Sequence, residues 1–261
     1  MPYSTELSYA KKAAIEAGKA IASFYDKNLE VKYKNPQQPV TEADLAANAI
    51  IKEILLDEFA GDAWLSEEDA DTEARLKNPR VWIVDPLDGT REFINKNPEF
   101  AVSIGLVVDG VAVVGAIYNP ITNELFSAAV GAGAWKNKER IFVSPNQDTS
   151  KITLLASVSE NQRGEWDEFK KIFSVKMIGG SAYKMGLIGA GSADGSFTLR
   201  PKSEWDVCAG VAIVNEAGGV VTAADGSKIL FNQPSPYLSN LIYTSQPVYQ
   251  TVFEAIQKHK S

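Results

Sequence analysis

The chain has 261 residues, 45% of them hydrophobic and 23% charged, and a net charge of -7. That is the balance of a globular chain able to bury a full core, and its sign argues against a nucleic-acid polymer or an anionic membrane as a general partner. One histidine (His259) and one cysteine (Cys208) remove the bases and nucleophiles of Ser-His-Asp and histidine-phosphate chemistry and any internal disulfide.

From the N-terminus, Leu7, Ala10, Ala14, Ala17, Gly18, Ile21 and Tyr25 recur at helical spacing and predict a helix over Thr5–Asp26. A loop containing Pro36 and Pro39 follows. Thr41-Glu42-Ala43-Asp44 reads as a capping box opening a second helix, whose apolar stripe is Ala47, Ile50, Ile51, Ile54, Leu55 and Phe59 and whose end is Gly61. Asp44 is either that capping carboxylate or a base, or both. The run Val81-Trp82-Ile83-Val84 has strand character and ends in Asp85-Pro86-Leu87-Asp88-Gly89-Thr90. Strand ends are where an α/β fold presents chemistry to solvent. Asp109-Gly110 between 101–108 and 111–117 is a hairpin signal, and 125–129 and the segment near Trp135 continue the antiparallel pattern. The first 150 residues thus read as two helices on a largely antiparallel sheet. From Lys151 the rhythm alternates: strand 152–157, helix 165–173, strand 175–178, helix 181–190, strand 195–199, helix 205–217, strands 220–223 and 241–244, helix 248–258. This describes a layered α/β half, and two subdomains, 1–150 and 151–261, are expected.

Three separated acidic elements stand at element boundaries: Ser66-Glu67-Glu68-Asp69, Asp85 with Asp88, and Trp205-Asp206. Carboxylates gathered at one place repel unless a cation neutralises them. Hard oxygen donors of this kind select Mg²⁺, with Mn²⁺ as the alternative. The competing reading of 67–69 is a solvated acidic loop. A phosphatase of the haloacid-dehalogenase type also ends a strand in aspartates, but with one residue between them, whereas Asp85 and Asp88 have two between. No apolar run reaches membrane-spanning length and no signal peptide is evident, so a soluble, cytoplasmic protein is expected.

Trp82 through Thr90, together with Thr41/Asp44, Leu65-Ser66-Glu67-Glu68, Gly179-Gly180-Ser181-Ala182 and Trp205-Asp206-Val207-Cys208-Ala209-Gly210-Val211, resembles the inositol monophosphatase superfamily of metal-dependent, lithium-sensitive phosphomonoesterases over nearly the whole chain. Asp88-Gly89-Thr90-Arg91-Glu92-Phe93-Ile94 looks most like the bacterial 3'(2'),5'-bisphosphate nucleotidases. The resemblance implies an α/β fold, an α-β-α-β-α sandwich of the inositol monophosphatase/fructose-1,6-bisphosphatase type with its site in a cleft between two subdomains. It also implies two or three Mg²⁺ ions held by Glu67, Asp85, the Leu87 carbonyl, Asp88 and Asp206. Asp44, Thr90 and Glu67 would carry catalysis, the first two by taking a proton from the attacking water. Leu87, Asp88, Gly89, Thr90, Gly180, Ser181, Arg200 and Asp206 would contact substrate.

The substrate implied is a small phosphorylated metabolite, foremost 3'-phosphoadenosine 5'-phosphate, with an inositol or other sugar monophosphate as runner-up. Where inositol-selective members place an acidic residue ahead of the motif tryptophan, this chain has Thr198-Leu199-Arg200-Pro201-Lys202-Ser203-Glu204. Arg200 and Lys202 would suit a second phosphate there. A retired family member sensing a phosphorylated ligand is the non-enzyme alternative, and the intact acidic residues argue against it. A homodimer is one option for assembly.

Overall fold

In the computed structural model, residues 2–27, 30–35 and 38–260 are described. Helix α1 (Ser4–Tyr25) is followed by the antiparallel pair β1 (Lys32–Asn35) and β2 (Gln38–Val40), then by α2 (Glu42–Glu58). The expected loop at 32–40 is therefore a short strand pair, with Pro39 inside β2 opposite Tyr33. A two-stranded edge tolerates a proline because one side of each strand needs no ladder donor. Pro36 lies outside the described residues. The predicted capping box forms: Thr41 Oγ1 accepts from Ala43 N, and the Asp44 carboxylate accepts from Thr41 N at 2.8 Å.

Strands β3 (Ala63–Ser66) and β4 (Arg80–Asp88) run parallel. The short helix α3 (Thr90–Ile94) leads into the antiparallel run β5 (Ala101–Val108), β6 (Val111–Asn119), β7 (Glu124–Ala129), β8 (Gly133–Lys136) and β9 (Glu139–Ile141). Together β3 to β9 form a seven-stranded sheet in sequence order. The turn between β5 and β6 has positive φ at both Asp109 (49°) and Gly110 (80°), the conformation that a two-residue hairpin turn requires.

The remaining elements are β10 (Thr153–Ser157), α4 (Val158–Gln162), β11 (Ser174–Ile178), α5 (Ser181–Gly189), β12 (Gly195–Phe197), β13 (Lys202–Ser203), α6 (Glu204–Glu216), β14 (Gly219–Ala223), β15 (Tyr237–Leu238), β16 (Leu241–Ser245) and α7 (Tyr249–Lys260). Five of them make a second sheet in the order β11-β10-β12-β16-β14. The helix expected over 165–173 is absent. Helix α4 instead stops before Gly164 (φ 76°), and only a 3₁₀ turn forms at Phe169–Lys171. Trp166, Phe169 and Phe173 are buried at helix-like spacing. They reach the core from turns, because the Trp166 indole is tied to Glu160 (3.1 Å) and stacks on Phe197 with centroids 4.2 Å apart.

The layers follow from which faces are apolar. Helices α1 and α2 cover one face of the large sheet through an alanine-rich stripe (Ala10, Ala14, Ala17, Ala43, Ala47). At Gly18 an added Cβ would meet the Tyr118 ring at 2.5 Å and at Gly115 it would run into the Ala209 carbonyl, so close approach of helix to sheet on either face requires glycine. Helices α5 and α6 fill the space between the two sheets, and α7 with the Trp166 cluster covers the outer face of the second. The result is the expected α-β-α-β-α sandwich.

Candidate active site

Three local breaks in regular structure bring the acidic elements together. Strand β4 carries a bulge between Asp85, opposite Ser103, and Asp88, opposite Ala101. Pro86 sits in it, and the Leu87 N–H turns back onto Asp85 Oδ1 at 3.0 Å. Bulges re-aim side chains next to functional sites. Gly89 follows at φ 93°, where a Cβ would crowd Phe100 and the Glu99 carbonyl, so the chain turns sharply into α3 at Thr90. Glu67 leaves the end of β3, and its N–H bonds the Val84 carbonyl at 3.2 Å, one residue short of Asp85. Asp206 lies on the first turn of α6, whose Trp205 carbonyl accepts from Ser103 Oγ at 3.2 Å. Because Ser103 is the ladder partner of Asp85, that bond sets α6 beside the strand end.

Carboxylate oxygens of Asp85, Asp88 and Asp206 lie within 4.8 Å of one another. Asp85 and Asp88 are buried. Burial pushes all three carboxyls up, that of Asp206 to about 7, and at Asp85 and Asp206 repulsion from the neighbouring carboxylates adds to it. Asp88 is partly relieved by the Ser181 and Ala182 N–H groups, at 3.0 and 2.7 Å, and by the charges of Lys202 and Lys184. Like charges this close are stable only when protonated or neutralised by a cation. A donor set made wholly of oxygens fits a hard divalent ion. Glu67 belongs to the same field, since its charge raises Asp85 and Asp206. Its carboxylate accepts from Lys34 Nζ at 3.4 Å, and Lys34 also bonds Glu68 at 2.6 Å.

Asp44 and Thr90 meet. The Thr90 hydroxyl lies 3.0 Å from Asp44 Oδ1 and 3.2 Å from the Leu87 carbonyl, while Thr41 donates its hydroxyl to Asp44 Oδ2 at 2.7 Å. Asp44 is 1% exposed, and burial raises its carboxyl against the opposing pull of these bonds. One carboxylate thus caps α2 with one oxygen and faces Thr90 with the other.

Glu67, Asp85, Leu87, Asp88, Gly89, Thr90, Gly180, Ser181 and Asp206 all line one cleft of about 340 Å³. Arg200 does not. It is exposed, and its guanidinium is engaged by Glu165 at 2.6 and 2.8 Å. The bend at Leu199–Arg200 and Pro201 breaks the strand period before β13, so Arg200 and Lys202 do not share a face. The cleft is lined by three other cations instead, Arg91, Lys184 and Lys202. Lys184 was not anticipated from the sequence. It is 3% exposed, and burial with the neighbouring Lys202 charge lowers its ammonium to about 8. The available signal was its place three residues after Ser181, which puts both on one face of α5.

The inositol monophosphatase family model matches residues 3–261. An inositol-1-monophosphatase of Synechocystis sp. is 33% identical over 261 residues, 97% of this chain and 88% of that protein. The Nus factor SuhB of Vibrio cholerae is 35% identical over 226 residues, 83% and 84% of the two chains. Among solved structures, the extragenic suppressor protein suhB from Bartonella henselae superposes with a TM-score of 0.86 at 30% identity, covering 98% of this chain and 99% of that one. CysQ from Bacteroides thetaiotaomicron, a bacterial member of the same family, gives 0.80 at 31% identity over 94% and 98%. With the acidic cluster, the cleft and the five-layer fold in agreement, the chain belongs to the inositol monophosphatase family, a metal-dependent family, and is a phosphoric monoester hydrolase.

Proposed function

We propose that this enzyme uses Mg²⁺ held by Glu67, Asp85, the Leu87 carbonyl, Asp88 and Asp206. Its preferred substrate is a nucleotide carrying a second phosphate, 3'-phosphoadenosine 5'-phosphate, cleaved to AMP and phosphate. The observation carrying the substrate reading is the pair Lys184 and Lys202 in the wall of the same cleft as the acidic cluster. One phosphate meets the carboxylate-rich end, and the other needs cations, which a monophosphate does not.

When bound, Mg²⁺ lowers the pKa of a water molecule and offsets charge on the phosphoryl oxygens. The chain's own groups do the rest. Thr90 donates to Asp44, leaving its oxygen lone pairs free to accept a proton from the attacking water as its own proton passes to Asp44 Oδ1. The raised carboxyl of Asp44 suits that task better than an ordinary aspartate would. The Ser181 and Ala182 N–H groups keep Asp88 aimed and favour its ionised form against the effect of burial. Lithium, a small cation of half the charge, would occupy the site and slow turnover.

The second reading, an inositol-1-phosphate substrate, is favoured by the names of relatives such as the Synechocystis enzyme. Phosphate release from a panel of nucleotide and sugar phosphates, with and without Mg²⁺, tests both. The bisphosphate nucleotide is expected to give the highest kcat/KM, and a higher value for inositol 1-phosphate would overturn the substrate reading.

A further inference from the structure

Glu204, two residues before Asp206, takes no part in the cleft. It is fully buried, and helix geometry sets it about 200° around α6 from Asp206. From that far side its two oxygens accept the N–H groups of Asn232 (2.8 Å) and Gln233 (3.0 Å), while its own N–H bonds the Pro236 carbonyl at 2.8 Å. The same two residues are held from the opposite direction by Arg75, which is 2% exposed. Arg75 donates to Asn232 Oδ1 at 2.8 Å and to the Gln233 carbonyl at 3.0 Å, and it is locked in place by a two-point pair with Asp71 at 2.7 and 2.9 Å. Asn232 returns its amide to the Arg75 and Asn78 carbonyls and adopts φ 57°. Further along, Tyr237 and Leu238 pair with Ser203 and Lys202.

Arg75 lies on the segment that runs on from Glu67, and Glu204 opens the helix that carries Asp206. We infer that residues 231–238, gripped between Arg75 and Glu204, form a brace that fixes Asp206 against the Glu67 segment, and that Glu204 and Arg75 are positioning residues for the metal site. A buried carboxylate and guanidinium are costly to desolvate and add little net stability. They are suited to holding a geometry, and the geometry they hold is the spacing of ligands that arrive from separate parts of the chain. Removing groups that orient metal ligands from behind typically costs about 10- to 100-fold in metal affinity.

The inference rests on the metal-site reading above, and the experiment separates the two. Mn²⁺ binding is measured directly by electron paramagnetic resonance, and Mg²⁺ dependence by phosphate release, in wild type, Glu204→Gln, Asn232→Gly and Val252→Ala. In Glu204→Gln an amide NH₂ faces a backbone N–H and one bond is lost. Asn232→Gly keeps the positive φ but removes the side-chain bonds between Asn232 and Arg75, leaving the Gln233 carbonyl as the Arg75 contact. Both are expected to raise the metal concentration for half-saturation about tenfold, in binding and in activity alike, with kcat at saturating metal little changed. Val252→Ala, on the buried face of α7 and in a core cluster separate from the brace, should lower the melting temperature with no shift in metal affinity. Wild-type Mn²⁺ affinity in a folded Glu204→Gln or Asn232→Gly protein would overturn the brace. No Mn²⁺ binding by wild type would overturn the metal site itself.

Discussion

Replacing Lys202 with methionine keeps the side-chain length and removes the charge. Lys202 has two electrostatic duties in the structure: it lines the cleft, and it lowers the carboxyls of Asp88 and Asp206. The second duty matters when the carboxylates lack a cation, and it fades at saturating Mg²⁺, where the ion dominates the local field. The first persists and depends on the substrate. A charge-assisted hydrogen bond to the second phosphate contributes about 1.5–3 kcal/mol. Lys202→Met should therefore lose about 10- to 100-fold in kcat/KM on 3'-phosphoadenosine 5'-phosphate. On inositol 1-phosphate the loss should stay within about fivefold, the scale of a partly exposed ionic contact. Initial rates of phosphate release at saturating Mg²⁺ give both ratios. Equal losses on the two substrates would refute the reasoning and assign Lys202 to the shared catalytic centre.

Asp44→Asn preserves the shape of the cap but not the proton acceptor, and should reduce kcat by about 100-fold or more with a melting temperature close to wild type; a variant within threefold of wild type would remove Asp44 from the chemistry. In metal-free protein, the folded-state value of about 7 for Asp206 stands above its ordinary 3.8, so the folded state holds a proton that the unfolded chain has lost. Stability in EDTA should then fall as pH rises between about 4 and 7, and Mg²⁺ should restore it most at the upper end; a melting temperature that rises through this window would contradict the assignment. Trp166→Ala should cost about 3–5 kcal/mol in denaturant unfolding, because the indole is fully buried against Phe197 and Phe169; a loss below 1 kcal/mol would mean the cluster does not anchor the 163–173 segment.

Much of this architecture was readable from pattern. The α1 stripe, the Thr41–Asp44 cap and the Asp109-Gly110 turn are local signals, each completed within a few residues, and each appears where expected. One failure is long-range and the other lies in a short local pair. Trp166, Phe169 and Phe173 have helical spacing, but their burial is decided by Phe197 and Glu160 on other elements. The β1–β2 pair is too short and polar to show alternation. At the site, motif residues carried by the strand end, α5 and α6 converge on one cleft, because strand register and the Ser103–Trp205 bond bring them there. Arg200 and Lys202 are two apart in sequence, but the bend at Leu199–Arg200 breaks the strand period, so Arg200 turns to Glu165 while Lys202 lines the cleft.

The central claim is that the buried carboxylates at the end of β4 hold a divalent ion and that hydrolysis depends on it. Asp85→Asn tests it most directly, because Asp85 is 2% exposed in the middle of the cluster, and the amide keeps its shape while removing its charge. Phosphate release followed across a Mg²⁺ titration should show a metal-dependent wild type and a folded variant whose turnover is abolished at every Mg²⁺ concentration. A variant within about tenfold of wild type at saturating Mg²⁺, a barrier change of no more than about 1.4 kcal/mol, would contradict the account.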